Sequence, residues 1–120
     1  MTEAEQALYT GISGNMHPLY VNRVHARASE LGERLVFELA VGGLASTALA
    51  ALAGPWMRLT RIALDFPHAA RLGDTVAARA EVLAATDTEL HCRLVCTRQD
   101  GIIVGQGAAT LSLVPRADGP

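Results

Sequence analysis

The sequence predicts an α+β domain in which an antiparallel sheet packs against one apolar helix. The segment 42–53 is apolar all round except for two hydroxyls, which is typical of a buried helix. The segments after it alternate apolar and polar residues, which is typical of strands buried on one face. Since 120 residues suit one compact domain, we expect a single domain over residues 1–116 and a flexible tail over 117–120.

The N-terminal third predicts two short helices and an extended segment. The first helix starts at a capping box, with Thr2 as the N-cap and Glu5 as the third helical residue. Asn22 is suited to cap the second. We place the helices at 3–12 and 23–31, each ended by a glycine, and a short strand or extended arm at 35–39.

The remainder predicts a central helix and four strands. The helix is expected to begin at the pair Gly42-Gly43 and to end at Gly54-Pro55. Its small side chains would let a sheet wrap closely around it. Asp100-Gly101 is a strong hairpin signal between the last two strands. The strands are placed at 56–66, 75–85, 89–98 and 102–114.

Composition and charge exclude several classes of function. The net charge is −2 and no dense basic run is present, which argues against a nucleic-acid partner. No uncharged apolar stretch reaches the ~20 residues of a membrane helix, so no membrane partner is expected. The acidic N-terminus is unlike a signal peptide, and the sequence therefore predicts a cytoplasmic protein.

The cysteines and histidines predict neither a metal site nor a cofactor. Cys92 and Cys96 lie four residues apart in a predicted strand, roughly 13 Å at the usual rise, which is too far for a disulfide. The histidines are scattered without the spacing of metal ligands. We expect His25, His68 and His91 to be structural or solvated.

The loop after the first helix has the sequence Ser-Gly-Asn-Met-His-Pro-Leu-Tyr at residues 13–20. It resembles the catalytic loop of the MaoC-like (R)-specific enoyl-thioester hydratases and dehydratases, which have the hotdog fold, a sheet curled around a central helix. Their motif reads roughly S/T-G-D-x-N-P-x-H, with the Asp and the His as the acid/base pair. Here Asn15 stands at the Asp position, His17 at the Asn position and Tyr20 at the His position, while Pro18 is kept.

The resemblance continues over nearly the whole chain. The family's strand before the first helix has no counterpart here. Either the sequence starts short of that strand, or this member leaves the sheet edge for a partner. The other matching segments, in the family's order, are 2–4, 41–44, 66–76 and 99–107.

The resemblance implies reversible hydration of trans-2-enoyl thioesters carried by CoA or acyl carrier protein. The candidate catalytic residues are Asn15, His17 and Tyr20. An Asn amide cannot act as a base, and a Tyr with a reference pKa near 10 is a weak base at neutral pH. His17 titrates in the right range, although its family counterpart is not catalytic. The alternative is that these residues only shape the loop.

The resemblance also implies a substrate-binding role for Gly42, Gly43 and Leu44. In the family, N–H groups at the start of the central helix hold the thioester carbonyl as an oxyanion hole would. Tight packing of the helix on the sheet is the alternative reason for the glycines. The predicted helix carries no acid, which counts against a hotdog thioesterase.

Three functions follow. The chain is one subunit of a heteromeric dehydratase whose partner, a homologous hotdog subunit, supplies the Asp/His pair. Alternatively, it is a self-sufficient enzyme that uses His17 or Tyr20, in which case a homodimer is the expected assembly. The third possibility is a module that binds acyl thioesters without turnover.

Overall fold

The structure is a computed structural model that describes residues 1–117; residues 118–120 of the predicted tail lie outside the described part. Four helices precede a four-stranded antiparallel sheet, so the predicted α+β arrangement is confirmed. The elements are α1 (Glu3–Ser13), α2 (Pro18–Val21), α3 (Arg23–Arg27), α4 (Glu38–Leu52), β1 (Met57–Asp65), β2 (Val76–Ala85), β3 (Glu89–Arg98) and β4 (Ile103–Leu113).

The capping signals of the N-terminal helices are confirmed. The Thr2 hydroxyl accepts the Glu5 N–H at 3.2 Å, and the Glu5 carboxylate closes the capping box. The Asn22 side chain caps α3 as predicted. That helix ends at Arg27, before the predicted 31, because the Ser29 hydroxyl donates to a backbone carbonyl and favours a turn. The single turn of α2 was not predicted.

The central helix α4 begins four residues before the predicted start at Gly42. Glu38 is its first residue, and the carbonyl of Phe37 accepts the N–H of Val41 at 3.2 Å. A carboxylate in the first turn is favourable there because it faces the positive end of the helix dipole. The predicted extended arm forms no strand: Leu35 makes one isolated bridge to Arg71, beside which the Val36 N–H donates to the Ala70 carbonyl at 2.9 Å.

The strand order in the sheet is β1-β4-β3-β2. All four strands agree with the predicted ranges to within one residue at each end. The hairpin at Asp100-Gly101 is also confirmed, since Gly101 adopts a left-handed φ of 84°. A Cβ at Gly107 would lie 1.8 Å from the carbonyl oxygen of Ala63, so β1 and β4 can approach this closely only with glycine.

The core lies between one face of α4 and the inner face of the sheet. Val41, Ala45 and Leu49 are the buried residues of α4. Cys92 and Cys96 face them from β3; both are free, as predicted, and both are buried, which raises the pKa of their thiols.

The prediction that α4 is buried all round is wrong for the single chain. Its outer face is open to solvent, and the Leu39 side chain on it is 70% exposed. No charged residue occurs between Glu38 and Arg58. An exposed helix face normally carries charge, so this face has the composition of a covered surface. Among residues 1–117, no helix is both long and apolar enough to cross a membrane.

Candidate active site

The loop of residues 13–20 is held by its own side chains. The Asn15 Oδ1 accepts the N–H of His17 at 3.0 Å. The His17 Nδ1 accepts the N–H of Leu19 at 3.3 Å and so caps α2. Both side chains are exposed. Since Nδ1 acts as an acceptor, the neutral ring carries its proton on Nε2.

Tyr20 points from this loop to the start of α4. Its ring stacks on Phe37, with centroids 4.5 Å apart, and its hydroxyl donates to the Glu38 Oε2 at 2.5 Å. Burial and the neighbouring Glu38 carboxylate raise the pKa of Tyr20 to about 12. Tyr20 is therefore a neutral hydrogen-bond donor at neutral pH, and proton abstraction by its phenolate is disfavoured.

The structure brings two of the three predicted catalytic candidates into direct contact. The rings of His17 and Tyr20 meet edge to face, with centroids 5.6 Å apart. Asn15 joins them only through its bond to the His17 backbone. Of the three side chains, Tyr20 alone is hydrogen-bonded to a second titratable group.

That second group, Glu38, is a residue that the sequence prediction missed. The prediction of a central helix without an acid is wrong, because the helix starts at Glu38. An available signal was the acidic residue directly before a long apolar run, which favours a helix N-terminus. It was outweighed by the alternation of residues 35–39, which indicated an extended segment.

Glu38 lines a small pocket of about 60 Å³ beside the first turn of α4. His68, from the β1–β2 connection, lines the same pocket and is exposed, as expected of a solvated histidine. Neither the Glu38 Oε1 nor the His68 ring forms a hydrogen bond with another residue of 1–117. The other lining residues are apolar: Val36, Val41, Phe66, Ala69, Ala70 and Val104.

Gly42 and Gly43 lie in the second turn of α4 and not at its N-terminus. The free N–H groups of a helix belong to its first turn, so the expected oxyanion hole at the glycine pair needs correction. Packing among the described residues does not explain Gly43, because a Cβ there would meet none of their atoms within 4 Å. A Cβ at Gly42 would make an ordinary 3.6 Å contact with Leu64. Leu44 is half-buried.

A longer groove of about 340 Å³ follows the C-terminal half of α4, where the helix passes over β1 and β4. Ser46 is the only lining residue with a polar side chain. This volume falls in the usual range for small-molecule sites. The groove is lined by Ser46, Leu49, Ala50, Ala53, Gly54, Pro55, Met57, Leu59 and Leu111.

The remaining titratable residues form no second centre. Within residues 1–117, no three His, Cys, Asp or Glu side chains are grouped as metal ligands would be. The His91 Nδ1 lies 3.3 Å from the Thr110 hydroxyl on the outer side of the sheet. Asp74 is buried in the turn before β2, where its carboxylate accepts the Arg71 N–H and the Gln99 amide.

A sheet that curls around one central helix defines a protein of the hotdog class. The sequence model of the family described as "MaoC like domain" matches residues 1–102. The chain therefore belongs to the MaoC-like domain family, which confirms the resemblance found in the sequence. No curated protein matches the sequence.

Solved structures share the fold at low sequence identity. The (R)-hydratase from A. caviae involved in PHA biosynthesis is 24% identical, with a TM-score of 0.88 over 94% of this chain and 88% of that one. The ChsH1–ChsH2 complex from Mycobacterium tuberculosis is 20% identical, with a TM-score of 0.82 over 93% of this chain and 87% of that one. The HadBC (3R-hydroxyacyl-ACP dehydratase) complex from the same organism is 18% identical, with a TM-score of 0.75 over 92% of this chain and 86% of that one.

Proposed function

We propose that this chain acts on enoyl or 3-hydroxyacyl thioesters of CoA or acyl carrier protein, as one subunit of a heteromeric hydratase or dehydratase. A homologous hotdog subunit supplies the Asp/His pair. The observation that carries this proposal is the state of the loop. Asn15 and Tyr20 replace the acid/base pair, and Tyr20 is held neutral by burial and by Glu38.

The open face of α4 supports a partner subunit. This face is apolar, uncharged and lined by small residues, and it runs along the same helix that borders the 340 Å³ groove. A second subunit on this face would enclose the groove and exclude water from it. Two of the similar structures, ChsH1–ChsH2 and HadBC, are themselves described as complexes.

Gly43 supports a thioester near the start of the groove. A glycine inside a helix costs about 1 kcal/mol relative to alanine, and none of residues 1–117 occupies the space that a Cβ would fill. A ligand or a partner that approaches the backbone there explains the residue. Gly42 and Leu44 flank this position and are proposed, with Gly43, as the substrate-binding segment.

The self-sufficient alternative has less support from the loop. It needs His17 to act as the base, but the His17 Nδ1 is the acceptor that caps α2, which leaves only Nε2 for catalysis. Tyr20 would have to ionise far above neutral pH. A binding module without turnover has no observation of its own in its favour.

Comparison of two preparations in one assay tests the proposal. The tagged chain is purified from its own host with whatever it binds, and separately after recombinant expression alone. Hydration of crotonyl-CoA and trans-2-octenoyl-CoA is then measured. We expect the host assembly to be faster by roughly 10²-fold or more, the usual scale for acid–base groups. Equal rates in the two preparations would contradict a partner that supplies the Asp/His pair.

A further inference from the structure

We propose that Glu38 is a general base of this chain's own, which activates water in the small pocket that it shares with His68. The proposal rests on the proposed function, because the acceptor of that water is the enoyl thioester. It adds a residue that lies outside the family's loop motif and gives the isolated chain a slow hydratase activity.

The hydrogen bonding of Glu38 suits it to this role. One carboxylate oxygen, Oε2, is fixed by the hydroxyl of Tyr20 at 2.5 Å. The other, Oε1, has no hydrogen-bond partner within residues 1–117 and is available to a ligand or a water. Since a carboxylate oxygen only accepts hydrogen bonds when ionised, Oε1 can orient a water by accepting one of its protons.

The pocket has the size and the lining for water. A single water needs about 10–15 Å³ of such volume, so about 60 Å³ holds a few waters and is too small for a whole acyl chain, whose C2 and C3 atoms must approach Glu38 at the opening of the pocket. Glu38 and His68 are the lining residues with polar side chains, and they face an otherwise apolar wall. A water in this pocket would therefore depend on these two side chains for its orientation.

Tyr20 is a positioning residue in this arrangement. Its ring is fixed between Phe37 and the loop, so its hydroxyl restrains the Glu38 carboxylate. Tyr20 stands at the family's His position and contacts Glu38. Glu38 is therefore the group beside this position that can accept a proton.

Glu38 alone can carry the proton that moves during the addition of water. The carboxylate removes one proton from water as the water oxygen forms a bond to C3 of the enoyl thioester. The C2=C3 electron pair moves to C2 and toward the thioester carbonyl. The protonated Glu38 then returns that proton to C2, which completes the addition of water and restores the carboxylate. Delivery of both groups from one side accounts for a syn addition.

The test measures hydration of crotonyl-CoA and trans-2-octenoyl-CoA by the recombinant chain without a partner. Glu38→Gln keeps the size of the side chain and an oxygen that can accept the Tyr20 hydroxyl, but it cannot accept the proton. We expect a loss of kcat/KM of roughly 10²-fold or more. The matched control is Glu30→Gln, which makes the same change at an exposed carboxylate outside the pocket and should leave the rate unchanged.

Separate measurement of kcat and KM distinguishes a positioning role of Tyr20 from a structural one. Tyr20→Phe keeps the stacking on Phe37 and removes the hydrogen bond to Glu38. Because that bond restrains the carboxylate that accepts the proton, its loss should lower kcat and leave KM nearly unchanged. In a Glu38→Gln background the same substitution should cause no further loss of kcat. An equal loss in both backgrounds would overturn the positioning role.

The other outcomes distinguish the two proposals. If the host assembly hydrates the probes and the chain alone does not, Glu38 is overturned as a base and the proposed function stands. If the chain alone is active and Glu38→Gln costs only a few-fold, Glu38 is again overturned. Release of free CoA in place of the 3-hydroxyacyl product would show hydrolysis and overturn the hydration step. If neither preparation hydrates a probe, both proposals fall.

Discussion

At the scale of single residues, the chemistry of the loop follows from what each side chain can accept or donate. Asn15 offers an amide oxygen to the His17 backbone, and Tyr20 offers a proton to Glu38. Neither can exchange a proton with substrate near neutral pH. The frame of the loop is nevertheless intact, since Pro18 starts α2 and the His17 side chain caps it.

Restoration of the family pattern should therefore raise the activity of the isolated chain. The triple variant Asn15→Asp, His17→Asn and Tyr20→His recovers a carboxylate and an imidazole at the loop positions that hold them in the family. We expect hydration of crotonyl-CoA to rise by roughly 10²-fold, the usual contribution of an acid/base pair. Asn15→Asp alone is the control and should give no comparable gain. A folded triple variant without gain would contradict the alignment of the loop with the catalytic motif.

Asp74 is expected to stabilise the fold in a pH-dependent way. Burial opposes its charge, but hydrogen bonds from the Gln99 amide and the Arg71 N–H outweigh this and hold its pKa below the usual value. A carboxyl whose pKa is lowered on folding adds stability above its unfolded pKa of about 3.9 and loses it as pH falls through the folded value. Asp74→Asn should lower the free energy of unfolding by about 1–3 kcal/mol near neutral pH.

Urea denaturation near pH 7 and in acid measures this effect. The difference between wild type and Asp74→Asn should shrink in acid, because the wild-type carboxylate is then protonated. Asp87→Asn, at an exposed position in the β2–β3 turn, is the control and should change little at either pH. An equal deficit of Asp74→Asn at both pH values would show that its charge is unimportant.

At the scale of elements, the strands could be predicted closely and the central helix only in part. Period-two alternation and the Asp100-Gly101 turn are local signals, and they place every strand end within one residue. The start of α4 could not be placed because two local patterns around Glu38 conflict. The alternation of residues 35–39 predicts an extended segment, whereas an acidic residue before a long apolar run predicts a helix N-terminus. The alternation of Leu35 and Phe37 reflects their burial beneath α1 and not a strand. The same error concealed Glu38 as a site residue, since its neighbours in space come from distant segments.

Gly43 in α4 allows stability and ligand binding to be separated. Gly43→Ala should raise the free energy of unfolding by about 0.5–1 kcal/mol, because alanine favours the helix and its Cβ meets nothing within 4 Å. If the thioester approaches the backbone here, the same change should raise KM for crotonyl-CoA in the host assembly. Chemical denaturation and steady-state kinetics give the two quantities. A more stable variant with unchanged KM would remove Gly43 from the binding segment.

In the sheet, replacement of Gly107 by alanine should lower the free energy of unfolding. Gly107→Ala would place a Cβ 1.8 Å from the Ala63 carbonyl oxygen, so β1 must move away from β4. We expect a loss of about 3 kcal/mol or more in the free energy of unfolding, at the upper end for overpacking. Gly105→Ala is the control, because its closest contact, 3.3 Å to the Val41 side chain, can relax. Similar stabilities for the two variants would contradict the close approach of β1 and β4.

At the scale of the whole molecule, the single chain is thin and open. Its radius of gyration is 16.5 Å and its extents are 56 × 29 × 18 Å, whereas a compact chain of this length has a radius near about 14 Å. The uncharged face of α4 is part of this open surface. Sequence patterns predicted the apolar helix but not which side of it remains uncovered, because its side chains are apolar on every face and do not distinguish one face from another.

Native mass spectrometry of the tagged chain, purified from its own host, tests the central proposal most directly. We expect this chain together with a second, different hotdog chain whose loop carries the intact Asp/His pair. A homodimer of this chain alone, with no such partner, would contradict the heteromeric enzyme and leave catalysis to the residues of this chain.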